Sequence, residues 1–194
     1  MKSINRFAFV MTLFSFTLFS AGLALGQKSL PPGTQTSDSG STSQAADATF
    51  AKKAASGGMA EVKLGQLAQE KGSSKAVKEF GKRMENDHSK AGDQLKDVAS
   101  KNNIDLPADI DKKDQATYDH LSKLSGSEFD RVYAQHMVTD HEKDVEEFKK
   151  EASTGKNPDV KSFASKTLPT LQDHLRQARE MEKSVSAKES SKNS

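Results

Sequence analysis

The stretch Ala152-Ser153-Thr154-Gly155-Lys156-Asn157-Pro158-Asp159-Val160 decides how this chain folds. Gly155 is a helix stop. Asn157 is a good N-cap, Pro158 suits the first helical position because its missing N–H is not needed there, and Asp159 places an acid in the first turn. One helix therefore ends and another begins within a few residues. A connection that short forces the two helices antiparallel, so the segment predicts a helical hairpin.

Working outward, the helix before the turn begins near Ser125-Gly126-Ser127-Glu128, where Ser125 and Glu128 have capping-box spacing. At about 100° per residue its inner stripe is Ala134, Met137, His141, Val145, Phe148 and Ala152. The helix after the turn aligns Val160, Phe163, Thr167, Leu171, His174, Ala178 and Met181. A second hairpin turns at Gly72. Its first helix covers Asp47 to Lys71, with Phe50, Ala54, Gly57, Gly58, Glu61, Leu64, Gly65 and Ala68 on one face. Its second starts at the N-cap Ser73, runs to about Asn102, and aligns Val77, Phe80, Met84, His88, Ala91 and Leu95. These patterns predict an all-α fold, an antiparallel four-helix bundle over 47–183. Between the hairpins, Asn103 to Leu124 makes a long connection, extended at Ile104-Asp105-Leu106-Pro107 and open to a short helix from Lys112. Such a link can run the length of a bundle; up-down-up-down packing is the other possibility.

Each inner stripe carries one side chain of metal-ligand type, Glu61, His88, His141 and His174, near mid-helix. Burying such groups unpaired costs several kcal/mol, so they need partners. One inward ligand from each helix is how metal sites are built in bundle cores. Counted from the turns, His141 and His174 agree within about one turn. Glu61 and His88 differ by about five residues, or about 7–8 Å, so the axial heights agree only roughly and do not by themselves guarantee a single four-ligand site.

The second and third helices also echo one another. Phe80, Met84, Asp87 and His88 repeat as Tyr133, Met137, Asp140 and His141, and Asp173-His174 and Asp119-His120 are further Asp-His pairs. Neighbouring helical residues diverge by about 100°, so an Asp cannot orient the ring beside it but can orient a ring on the next helix. Glu85, Asp87, Asp140, Asp144 and Asp173 are the expected supporting carboxylates. His136 lies off the stripe, and His120 belongs to the connection. Met84, Met137 and Met181 read as core, Pro169 as a kink, and Gly57-Gly58 as a place of close helix approach.

With these motifs in place, the sequence resembles a bacterial family of exported ferritin-like proteins classed as a domain of unknown function. The matching stretches are residues 54–62 (AASGGMAEV) with Leu64-Gly65, Met84-x-x-Asp87-His88, Phe129-Asp130, Met137-x-x-Asp140-His141-Glu142, and Leu168-Pro169-x-Leu171-x-x-His174-Leu175. The resemblance covers about Asp47 to Met181. It implies a ferritin-like four-helix fold and an envelope location, with no established activity. Ferritin-like di-iron enzymes carry Glu on two helices and Glu-x-x-His on the other two. Glu61 and Glu85-x-x-His88 fit that pattern, but His141 and Leu171 stand where carboxylates belong. The set reads as His-rich and carboxylate-poor, suited to zinc, copper or a single iron rather than to oxidase chemistry.

The flanks point to export. Lys2 and Arg6 precede an apolar run from Phe7 to Leu25, and Ala24-Leu25-Gly26 offers a cleavage site, so 1–26 reads as a signal peptide. An uncleaved anchor is the alternative and the sole expected membrane contact. Residues 27–46, rich in Ser, Thr, Gly and Pro, read as a disordered linker, and 184–194 as a disordered tail. Of 29 basic and 27 acidic residues, two basic and no acidic ones precede Gln27, so the remainder is formally neutral. With no basic cluster interleaved with aromatics, nucleic acid is not an expected partner. The absence of cysteine excludes disulfides and thiolate ligands. The expectation is a periplasmic or secreted protein that binds a transition metal for storage, sensing or stress protection. The competing expectation is a metal-free structural or interaction module whose imidazoles are held by aspartates, with an envelope protein or a second copy as partner.

Overall fold

The computed structural model describes residues 39–192. Over them the chain forms five helices and no strand: α1 (Ser39–Lys71), α2 (Lys75–Lys101), α3 (Lys112–Leu121), α4 (Gly126–Thr154) and α5 (Pro158–Lys192). Where four helices were expected there is a fifth, α3, carried by the long connection. The expected signal peptide and residues 27–38 of the expected linker lie outside the described residues. The rest of that linker is helix, because Gln44-Ala45-Ala46 are good helix formers and Asp47 beyond them is buried. At the other end, the residues expected as a tail continue α5 to Lys192. Buried Val185 anchors that extension to the core.

The turn that decides the fold forms as its residues dictate. Asn157 Oδ1 accepts the backbone N–H groups of Asp159 (3.0 Å) and Val160 (3.1 Å). At the other hairpin the N-cap is Ser74 rather than Ser73. Ser73 is taken up elsewhere: its N–H and hydroxyl, with the N–H of Ser74, all donate to the buried carboxylate of Asp130 on α4. The expected capping box does not form. Ser125 is the N-cap of α4, but its side chain makes no capping bond, and Gly126 enters the helix at φ 64°.

Each turn is held by a buried aspartate of the other hairpin. Asp130 clamps the α1–α2 turn, and Asp47 on α1 accepts the N–H groups of Lys156 and Asn157 in the α4–α5 turn. Asn102, which caps the end of α2, bonds to Asn157 and Asp159 at the start of α5. These contacts fix the directions. α1 and α5 run one way and α2 and α4 the other, so the connection from Asn102 to Gly126 must travel the length of the helices. This decides between the two connectivities left open by the sequence. Lys63 holds the passing strand of chain at Asp109 (2.8 Å), and Leu121 of α3 is buried.

Close approach of α1 and α2 occurs at Gly65 and Gly81. A Cβ on Gly65 would sit 2.5 Å from the Gly81 carbonyl oxygen. Gly57 and Gly58, where close approach was expected, have open space instead: a Cβ there meets nothing nearer than 4.0 Å. Two apolar clusters make the core. One gathers Leu64, Met84, Phe129, Tyr133, Met137 and Met181 at the Gly72 end; the other gathers Phe50, Leu95, Phe148, Val160, Phe163 and Leu171 at the Asn157 end. Along every long helix the change from one cluster to the other falls at the same kind of residue: Glu61, His88, His141 or His174. No helix among the described residues is long and apolar enough to cross a membrane.

Candidate metal centre

Those four side chains meet in the layer between the two apolar clusters. Nε2 of His88 lies 2.6 Å from Oε2 of Glu61, and Nε2 of His141 lies 3.4 Å from the same oxygen. The ring centroids of His88, His141 and His174 are 5.4 to 6.0 Å apart, close to an equilateral triangle. One ring nitrogen from each falls within 4.8 Å of the others. Glu61 and His174 are 1% exposed and His141 is fully buried, so water does not offset their polarity.

The offset between Glu61 and His88 closes through side-chain direction. Cα–Cβ bonds tilt toward a helix's N-terminus. Glu61, nearer the turn, therefore leans away from it, while His88, farther out on the antiparallel helix, leans back. The same lean brings His141 and His174 to one level.

Hydrogen bonds on the outer ring nitrogens fix which inner atoms carry lone pairs. Nδ1 of His141 lies 2.9 Å from the carbonyl of Met137, which can only accept, so Nδ1 carries the proton and Nε2 the lone pair. Nε2 of His174 donates to Asp87 (2.8 Å), leaving the lone pair on Nδ1. Burial lowers the pKa of both rings, that of His174 to about 4 despite Asp87, so both are neutral near pH 7. Burial works against the charge on Glu61 as well, but its contact with His88, the one ring of the three whose pKa is raised, helps to hold the carboxyl below its usual range. For His88, burial is outweighed by Glu61, and its pKa is raised. Both oxygens of Glu61, Nε2 of His88, Nε2 of His141 and Nδ1 of His174 lack a partner in hydrogen-bond geometry. The 2.6 Å approach of Glu61 and His88 is thus a close charge contact without an aligned N–H.

The expected supporting carboxylates divide. Asp87 orients His174 across the α2–α5 interface and is itself held by Arg83 Nε (3.1 Å). Asp173 touches no ring; it holds the other end of Arg83 at 2.7 Å. Glu85 faces away and accepts from Gln66 (2.9 Å) and Gln69 (2.8 Å), so the Glu-x-x-His pattern does not deliver a second carboxylate. Asp140 and Asp144, four residues apart on one side of α4, do deliver carboxylates: with Glu61 their oxygens fall within 4.8 Å of one another. The expectation of a carboxylate-poor centre is therefore corrected to three imidazoles beside three carboxyls. Burial, then the charge of Glu61, raises Asp140 to about 7 and Asp144 well above the usual range, so both retain protons that a cation would displace. The buried hydroxyl of Tyr133 also lacks a partner, and burial followed by the charge of Glu61 suppresses its ionisation. The sequence singles out Tyr133 only as the counterpart of Phe80 in the repeated pattern. His120 is exposed and His136 half-buried, and neither joins the cluster.

The family described as Domain of unknown function (DUF4142) matches residues 32–181. No curated protein matches, and no solved structure does.

Proposed function

The chain belongs to the DUF4142 family of domains of unknown function, and from that premise we propose that it is an exported, ferritin-like four-helix protein binding a transition metal in its core. His88, His141, His174 and Glu61 supply the donors, with Asp140 and Asp144 beside Glu61. Asp87 orients His174, and Asp173 acts at one remove through Arg83. The role is metal storage, sensing or protection against metal or oxidative stress in the periplasm or outside the cell, after removal of residues 1–26.

One observation carries this reading. The lone pair on Nε2 of His141 faces a carboxylate oxygen of Glu61 at 3.4 Å, with the ring proton committed to the opposite nitrogen. Turning the tautomer around only moves the clash to the Met137 carbonyl, and protonating the ring is opposed by its burial. A cation between the donors removes the conflict. Buried polar atoms without partners otherwise cost roughly 1–3 kcal/mol each. Three nitrogens and a carboxylate oxygen suit zinc, copper or iron.

A second reading is favoured by the 2.6 Å approach of His88 to Glu61: a metal-free ion pair in a structural or interaction module, with an envelope protein or a second copy as partner. Elemental analysis of protein purified from the envelope, beside the His88→Ala/His141→Ala/His174→Ala variant, separates the two. Near-stoichiometric metal in the parent and none in the variant is expected. Negligible metal in both leaves the metal-free reading.

A further inference from the structure

Gly57, Gly58 and Gly92 share one feature: a side chain could stand at each of them without a clash. A Cβ on Gly57 or Gly92 would meet nothing within 4 Å, and one on Gly58 would come no closer than 4.0 Å to Nδ1 of His88. Glycine in a helix interior is disfavoured relative to alanine. At Gly65 and Gly81 contact between helices explains it; at these three positions no contact does. What they border is space. Behind them lies a largely enclosed cavity of about 50 Å³, walled by Leu95, Phe148, Phe163 and Leu171 and reaching His88 and Asp144. Outside them, a groove lined by Met59, Val62, Leu106 and Pro107 meets the same Gly58, Gly92 and His88.

We infer that the gap in α1 and α2 at Gly57, Gly58 and Gly92 is a portal through which a neutral molecule of up to about five non-hydrogen atoms reaches a binding cavity beside His88. The size follows from the volume, since a water molecule needs roughly 10–15 Å³ on the same measure. Neutrality follows from the walls: the apolar side chains of Leu95, Phe148, Phe163 and Leu171 disfavour any ion, and Lys53 and Glu147 at the edge are paired with each other at 3.6 Å. His88 is 8% exposed and lies with Nδ1 on the Gly58 side and Nε2 against Glu61, so the cavity reaches the ring of one member of the donor cluster. The inference rests on the metal reading for what the guest meets there, an open position on the ion.

Two measurements test it. Xenon, neutral and needing no metal, is introduced into crystals of the native protein and of the Gly57→Ala/Gly58→Ala/Gly92→Ala variant. A xenon atom between Gly57 and Phe163 in the native protein only is expected. Both proteins are then loaded anaerobically with iron(II) and mixed with nitric oxide, with binding followed by electron paramagnetic resonance. The variant is expected to melt at a higher temperature, hold the same iron, and bind nitric oxide at least tenfold more slowly. Equal rates, or no nitric oxide binding by iron-loaded native protein, overturn the inference while leaving the metal reading intact. Failure to take up iron overturns the guest's meeting with a metal, and absence of xenon overturns the cavity itself.

Discussion

Nε2 of His174 on α5 donates to Oδ2 of Asp87 on α2 at 2.8 Å, across the interface between the two hairpins. Asp87 is followed in the chain by His88, whose own ring enters the cluster, so one turn of α2 supplies both a donor and the carboxylate that aims a donor from another helix. Arg83 holds Asp87 from one turn below and Asp173 from α5, which closes the link on both helices. The aspartate does not orient the ring beside it; it orients the ring opposite.

Replacing Asp87 with asparagine removes the charge that fixes the His174 tautomer and leaves the ring in place. Metal affinity is expected to fall about 10–100-fold, as for other groups that orient ligating histidines. Competition against a chelator of known affinity checks it. Unchanged affinity would show that His174 needs no orienting carboxylate.

Metal affinity is expected to tighten as the pH rises through about 7. Asp140, whose pKa burial and Glu61 raise to about 7, must lose its proton to solvent as the cation binds, and a proton released on binding makes affinity increase with pH. Calorimetry in buffers of different ionisation enthalpy counts the protons. Asp140→Asn is expected to abolish that step.

Glu151 gives a separate pH effect on the fold. Burial, then the neighbouring Asp47, raises its pKa from 4.5 to about 7. A carboxyl raised in the folded state contributes stability that is complete below pH 4.5 and is lost as the pH rises to about 7. Glu151→Gln is therefore expected to match the parent in thermal melts near pH 4 and to exceed it above pH 7. A variant less stable at the higher pH would show that the ionised carboxylate is accommodated.

The glycines separate by environment. Gly65→Ala drives a methyl group to within 2.5 Å of the Gly81 carbonyl and 3.2 Å of Met84 Cβ, and overpacking of this kind costs about 1–3 kcal/mol. Gly92→Ala meets open space and is expected to gain about 1 kcal/mol from helix propensity. Chemical denaturation of the two single variants checks both signs.

The sequence by itself determined the helices and which face of each turns inward. Gly155 and Asn157-Pro158-Asp159 end one helix and start the next through backbone chemistry that acts over a few residues, and the 3.6-residue period places Glu61, His88, His141 and His174 on the same stripes as Phe50, Met84, Met137 and Leu171. Local rules fell short at the ends: Val185 and Asp47 extend α5 and α1 because each is buried against distant residues. The direction of the connection was decided only in three dimensions, by Asp130 clamping Ser73 and Ser74 and by Asn102 meeting Asn157. So was the level at which the four polar side chains meet. Counting residues measures Cα heights, whereas the opposed lean of side chains on antiparallel helices closes the remaining distance. The entry of Asp140 and Asp144 beside Glu61, and the exclusion of Glu85, likewise depend on which neighbouring helix lies across from each carboxylate, a fact set by packing between segments far apart in the chain.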